Sequence, residues 1–421
     1  MGSFHNILIL ITFFIEVAVL CYLELKAWKT IYTPLNFLML PYVVILVLSI
    51  ILSGKFGFVE FYYPSILFWS VGLLLFSIPS FFFAFITQKA DKRCHNEVIQ
   101  ERKMPQFLLW LSVALCLLFV YRTYSFLGST SFYIGSDDFG LSYAGQGFWG
   151  HLRIVTLPLL IMAIYFVDKS NLWLWIIILM FFFVGILYNV KGWIIIPVVA
   201  GMAMRLYTGK SKLKLSFFLY LLTGGLLIFL LAYLVLPMIA ANKEEVTSEM
   251  LTFVFEHFSH YLVSGTYGLS IDMQLGYPDS GDFEILWAPI VNMINVITGN
   301  GELVLPINPY YFHSGINLTN VRTFFGTLFI YTNCWQFIWY TLLSSSIMYM
   351  LKLITLKWSN VYIYVIYFFE CGLLAMGWFE FYYFHLVVFE LPVMVLILWF
   401  VDELIFSKET VISSNHEARQ I

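Results

Sequence analysis

The stretch Leu172 to Tyr188 reads LWLWIIILMFFFVGILY and holds no charged side chain. Coiled as a helix it is about 25 Å long at 1.5 Å per residue, close to the roughly 30 Å of bilayer hydrocarbon. A half-buried strand would alternate apolar and polar residues, and this run does not. It predicts a helix whose solvent is lipid.

Runs of the same texture lie on both sides of it. They are Ile7–Leu25, Leu35–Leu52, Tyr63–Thr87, Phe107–Leu127, Phe148–Val167, Trp193–Tyr207, Leu215–Ile239, Thr323–Leu351, Val361–Met376 and Phe381–Val401, which with the first make eleven predicted spans. Over 421 residues, 61% are hydrophobic and 11% charged, against about 25% charged in an ordinary soluble domain. A soluble globular protein is thereby excluded. So is a membrane barrel, whose strands alternate and are only about ten residues long. The expected fold is all-α, a polytopic helical bundle forming one integral-membrane domain over residues 1–421, with a large extracytoplasmic loop at 241–322 and a cytoplasmic tail at 402–421.

The first run starts Met1-Gly2-Ser3-Phe4-His5, lacks a basic leader and carries Glu16 and Glu24. It reads as a retained helix and not as a signal peptide. Cys21, Cys94, Cys116, Cys334 and Cys371 are scattered without a metal-ligand or disulfide spacing. They read as packing residues.

Orientation follows from the positive charges. If the loops after spans one, three, five, seven and nine face the cytoplasm with the tail, they hold sixteen of the 22 Lys and Arg residues. The positive-inside rule then puts the amino terminus outside and the carboxyl terminus inside. Among the six remaining cations, Arg122, Arg153, Lys191 and Arg322 sit at or just inside the outer ends of spans. A cation there needs an acidic residue, a lipid phosphate or an anionic ligand as partner, or it snorkels to the head groups.

The loop from Ala241 to Arg322 is too long to be structureless without a task. It contains eleven aromatic residues, and nine acids against two bases. Leu251, Val254, Phe255, Phe258 and Leu262 recur at helical spacing, which predicts an amphipathic helix in the membrane interface. Its opposite face carries Thr252, Glu256, Ser259 and His260. Pro278-Asp279-Ser280-Gly281 and Thr298-Gly299-Asn300-Gly301 predict turns. A smaller outer loop, Gly128 to Gly147, contains Asp137-Asp138 between Arg122 and Arg153.

Three constellations could carry chemistry. Guanidinium forks and a Lys point charge suit phosphate oxygens, so the four cations fit a lipid pyrophosphate. Glu256 and His260 are neighbours four residues apart on a helix, and a neutral His held by a carboxylate can accept a proton from a sugar hydroxyl. Two interfacial His residues satisfied by water or head groups would leave the same trace, and His257 and His313 share that alternative. Asp137-Asp138 could hold a divalent cation or be solvated turn residues.

Asn320-Val321-Arg322-Thr323-Phe324-Phe325-Gly326, which closes the long loop, resembles the corresponding junction of bacterial O-antigen and oligosaccharide repeat-unit polymerases (Wzy-type). Asn189-Val190-Lys191-Gly192 resembles their basic-Gly turn, and His260-Tyr261-Leu262-Val263-Ser264-Gly265 the opening of their large outer loop. The chain departs from them in having Lys191 where an Arg is common. The resemblance implies an enzyme of the inner membrane and cell envelope that transfers a growing glycan from undecaprenyl pyrophosphate onto a new lipid-linked unit, building O-antigen or capsular polysaccharide with inversion and no metal or other cofactor. It implies that Arg322, Lys191, Arg153 and Arg122 hold the donor pyrophosphate, that His260 with Glu256 is the general base, and that loop residues such as His257, His313, Asn320 and Tyr311 line the substrate. Its partners would be lipid-linked donor and acceptor, the bilayer, and a chain-length regulator and flippase. The competing readings are an O-antigen ligase, a polyprenyl-phosphate-sugar glycosyltransferase and a lipid-linked oligosaccharide transporter or flippase.

Overall fold

The computed structural model describes residues 2–90, 103–130, 132, 137–188, 190, 192–212, 223–227, 230, 247–276, 282–299 and 301–417. The fold is all-α apart from one pair of two-residue strands. The chain divides into two compact units. Unit 1 comprises Met1–Glu97, Lys243–Trp358 and Glu370–Val388, and unit 2 comprises Val98–Asn242, Ser359–Phe369 and Phe389–Ile421.

Unit 1 begins with three helices, α1 (Gly2–Trp28), α2 (Pro34–Leu52) and α3 (Ser65–Ala90). Thr33 caps α2 by accepting the Asn36 N–H, and Pro34 follows at the first helical position, where no donor is missed. After unit 2 the chain returns as α9 (Ser248–Leu275), α10 (Ala288–Thr298), the antiparallel strands β1 (Phe312–His313) and β2 (Leu318–Thr319), α11 (Phe324–Tyr331) and α12 (Cys334–Lys357). Helix α3 packs along α12 and α1, and α9 along α2 and α11. Tyr42 of α2 stacks on Trp69 of α3, whose indole N–H donates to Thr323 Oγ1 at 3.1 Å.

A polar pin crosses this apolar layer. The buried Glu24 carboxylate of α1 accepts from Ser80 of α3 and from Tyr349 of α12, and Trp28 Nε1 donates to Ser80 at 2.9 Å. Each buried polar group thereby has a partner, which removes the desolvation penalty of leaving it unpaired.

Unit 2 contains α4 (Gln106–Leu127), the short α5 (Asp137–Gly140), a π-turn at Leu141–Gly145, α6 (Gly147–Phe166), α7 (Leu172–Tyr188) and α8 (Gly192–Tyr207). The stretch that opened the sequence reading is therefore helical along its whole length. Phe119, Phe126, Phe139, Tyr143, Val184 and Leu187 form a buried cluster. Arg205 of α8 donates to the carbonyls of Ile164, Tyr165 and Val167, closing the open carbonyl end of α6. The chain ends through α13 (Val361–Ala375) and α14 (Val387–Glu417), which run from one unit's residues into the other's.

Six of the described helices are long and apolar enough to cross a membrane: Phe4–Trp28, Pro34–Leu52, Ser65–Thr87, Gln106–Leu127, Gly147–Phe166 and Cys334–Lys357. Leu172–Tyr188, Gly192–Tyr207 and Val361–Ala375 are shorter apolar helices. Large apolar side chains such as Val44, Val71, Leu117, Leu179 and Phe400 face outward, while Ser49, Ser112, Thr341 and Ser345 are buried. That inversion of the soluble pattern is what a lipid solvent favours.

Three sequence expectations change. The single span expected over Thr323–Leu351 is two helices, because Thr332 is extended and Asn333 with Gln336 forms a reciprocal capping box that starts α12. The last helix does not stop at Val401 but continues through the expected tail to Glu417. The amphipathic helix expected around Leu251–Leu262 is one part of a 28-residue helix, α9, whose second half is buried from Val263 to Asp272. Most of the expected span Leu215–Ile239, and all of the Pro278–Gly281 turn, lie outside the described residues.

Candidate functional site

The large loop of unit 1 is organised by α9. Thr247 caps it by accepting the Met250 N–H, and Gly276 ends it in the left-handed conformation. From Val263 to Ser270 it is buried all round, and Ser264, Gly265, Thr266 and Gly268 are small residues that admit other backbones. A Cβ at Gly268 would lie 2.7 Å from the Val321 carbonyl oxygen and 3.2 Å from Arg322 Cγ. Glycine there lets the strand-to-helix junction lie directly on α9.

Arg322 rests on that surface. Its Nε and Nη2 donate to the two carboxylate oxygens of Asp272 at 2.8 and 2.9 Å, and Nη1 donates to the Tyr310 carbonyl at 2.5 Å. The guanidinium lies 4.6 Å from the Phe312 ring centroid. Both side chains of the pair are 1% exposed. The charge expected to face a pyrophosphate is instead matched internally by Asp272. Asn308 and Asn320 exchange amide hydrogen bonds with each other's carbonyls at 2.9 and 2.7 Å, and Tyr331 donates to Asn308 at 2.7 Å.

About three turns before Asp272 on α9, His260 is buried and its Nδ1 lies 2.9 Å from Ser314 Oγ. Ser314 is fully buried between the strands, where its N–H donates to the Asn317 carbonyl and its own carbonyl accepts from Val59. Burial, with His257 and His313 nearby, pushes the His260 imidazole down to about 4, so it is neutral at pH 7. Glu256 points outward from α9 and is exposed. The expected Glu256–His260 dyad does not form, because a helix places these residues side by side but burial separates their ends. His257 Nδ1 faces the Asn317 amide at 3.2 Å, and His313 Nδ1 accepts from Gly315 N–H at 3.0 Å. The Gly315 bond leaves the neutral His313 ring with its proton on Nε2.

Beside Tyr331 opens a cavity of about 720 Å³, lined by Asp282, Glu284, Ile285, Leu303 to Leu305, Ile307 and Pro309. Its size is within the range of small-molecule sites, which combine apolar walls with a few polar groups. Two carboxylates make it suited to hydroxyl donors and unsuited to phosphate.

Unit 2 holds the other two arginines. Arg122 donates through Nε to the Tyr143 carbonyl at 3.1 Å and through Nη2 to the Ser142 carbonyl at 2.8 Å. Arg153, buried on α6, donates through Nε to the next carbonyl, Ala144, at 3.1 Å and lies 3.9 Å from the Tyr188 ring centroid. The two therefore converge on successive carbonyls of the π-turn. Among the described residues neither has a carboxylate within ion-pair distance, and Glu390 is engaged at 2.7 Å by His151. A cavity of about 10 Å³, the size of one water, adjoins Arg153, Thr156, Tyr188 and Trp193.

A family model matches residues 57–408. The chain belongs to the DUF6337 family, a family of unknown function. No curated protein and no solved structure matches it. In this DUF6337 chain, then, the geometry carries the functional argument.

Of the residues singled out by sequence, Arg122 and Arg153 come together in unit 2. His260, His257 and His313 gather in unit 1, and so do Arg322 and Asn320. Tyr311 is exposed, and Lys191 lies outside the described residues. Asp138 is the second residue of α5 and is exposed, whereas nothing is described of the Asp137 side chain. Sequence reasoning missed Asp272, Ser314, Tyr188, Asp282 and Glu284. Only Asp272 left a trace, as a lone acid four residues from Gly268.

Proposed function

We propose that this DUF6337 protein is a bacterial inner-membrane glycosyltransferase that polymerises undecaprenyl-pyrophosphate-linked repeat units outside the cytoplasmic membrane. The reading keeps eleven spans, an outward amino terminus and an inward carboxyl terminus. The observation that carries it is the convergence of Arg122 and Arg153 on one turn with only neutral carbonyls as described hydrogen-bond acceptors. Two guanidiniums so placed in an apolar helical unit attract an anion. A polyprenyl pyrophosphate at the membrane surface supplies one, and arginine forks match its oxygens.

In this reading the acceptor hydroxyl oxygen attacks the anomeric carbon of the donor. The bond from that carbon to the pyrophosphate breaks, the lipid pyrophosphate leaves with the electron pair, and the configuration inverts. Arg122 and Arg153 stabilise the charge developing on the leaving group. The hydroxyl proton passes to a carboxylate or to water at the acceptor. His260, buried against Ser314, and Arg322, paired with Asp272, brace the large loop of unit 1.

The test is to delete the gene in its host and resolve the surface glycan by length, then complement with wild type and with Arg122→Ala/Arg153→Ala. Polymerisation predicts collapse of a ladder to one repeat unit, restored by wild type and not by the double variant at equal membrane abundance. Complete loss of the glycan would instead indicate a ligase. An unchanged ladder overturns the glycosyl-transfer reading.

A further inference from the structure

Helix α10 is built inside out. Its polar side is turned toward the protein: Asn292 donates to the Val304 carbonyl at 2.8 Å and accepts the Val304 N–H at 2.7 Å, and Asn295 donates to the Glu302 carbonyl at 2.9 Å. Its apolar side is turned outward, with Met293, Ile294, Val296 and Ile297 at 57, 50, 69 and 77% exposure. A helix resting in water places its apolar stripe inward and its amides outward. The reversed arrangement is favourable only where the outside is apolar.

The neighbouring helix indicates what covers that side. Trp287, immediately before α10, packs on Tyr340 of α12 with ring centroids 5.3 Å apart. Tyr340 follows Trp339 in the chain, at the same level of α12; Trp335 and Trp339 are 74 and 70% exposed at the start of that helix, and their stripe continues outward as Leu343 and Ile347, every fourth residue. This is one face of a helix long and apolar enough to span a bilayer, with indoles at its end, where they favour the boundary between head groups and acyl chains.

We propose that α10 lies in that boundary, at the level of Trp335 and Trp339, with Met293, Ile294, Val296 and Ile297 seated among lipid acyl chains. The occupant of this face is the bilayer itself. The large loop is then anchored to the membrane by α10. The cavity beside Tyr331, in the same unit, is thereby held near the surface that lipid-linked substrates occupy. The inference rests on a bilayer as the solvent of α12 and not on glycosyl transfer.

The experiment places single spin labels at positions 293, 294, 296 and 297 of the full chain, in a background with native cysteines replaced. The protein is reconstituted in vesicles of phosphatidylethanolamine and phosphatidylglycerol. Collision rates with oxygen and with a water-soluble nickel chelate are compared with those of labels at Ile347 and at the exposed Glu302. The expected oxygen-to-nickel ratio at the four α10 positions is several-fold above that at Glu302 and near that at Ile347. Nickel access equal to Glu302, with Ile347 still shielded, overturns the seating of α10 alone. Nickel access at Ile347 as well overturns the bilayer reading of α12. Shielding of α10 from both reagents means that protein covers it, which also overturns the proposal.

Discussion

Arg322 and Asp272 are fifty residues apart in sequence and meet through two parallel N–H···O bonds with almost no solvent on either side chain. Removing one partner leaves an uncompensated buried charge, which costs about 3–5 kcal/mol. Arg322→Ala should therefore lower the unfolding midpoint in detergent strongly, and Asp272→Ala similarly. The double variant Arg322→Met/Asp272→Leu should recover most of the loss. A fully stable Arg322→Ala protein would refute the structural role of the pair. His260 makes a second prediction. Its value in the fold, about 4, lies below the roughly 6.5 of an unfolded His, so the unfolded chain binds more protons between these values. Its contribution to stability is present in full above pH 6.5 and is lost as the pH falls toward 4. Melting curves from pH 7.5 to 4.5 should show a decline that is shallower in His260→Gln, and identical slopes would exclude His260 as its source.

At the scale of elements, α9 shows how a helix can matter through residues it lacks. Gly268 admits the Val321 carbonyl to a distance no side chain would tolerate, and Gly265 does the same against Trp378 and Phe379. Gly268→Ala should displace the Val321–Arg322 junction despite alanine's better helix propensity. The check is limited proteolysis of the 301–323 segment, which should be faster than in wild type. The helical spacing of Leu251, Val254 and Phe255 identified the helix correctly but not its buried part. In α9 the packed part is its second half, where Gly265 and Gly268 admit neighbouring backbone. The break between α11 and α12 was legible in Asn333 and Gln336, a capping pair inside a run whose hydropathy is otherwise continuous. Hydropathy averages over such a signal, which resides in one hydrogen-bonded turn.

For the molecule as a whole, low charge and long apolar runs determine an all-α fold with helices fit for a bilayer, and the described helices agree with that reading. Where a run is uniform, as in Leu172–Tyr188, one principle decides it: a backbone in hydrocarbon must satisfy its own hydrogen bonds, and a helix does so locally. The same uniformity hides everything that depends on which side faces inward. The chain alone named Arg122, Arg153 and Arg322 as comparable cations. Folding separates them into two that rest on neutral carbonyls in unit 2 and one neutralised by Asp272 in unit 1. It also buried His260 away from Glu256 and turned α10's amides inward. Composition and periodicity determined the class of the fold because solvent acts on every residue alike. Partnership was decided only by tertiary structure, because a buried charge takes its meaning from a neighbour that sequence distance does not reveal.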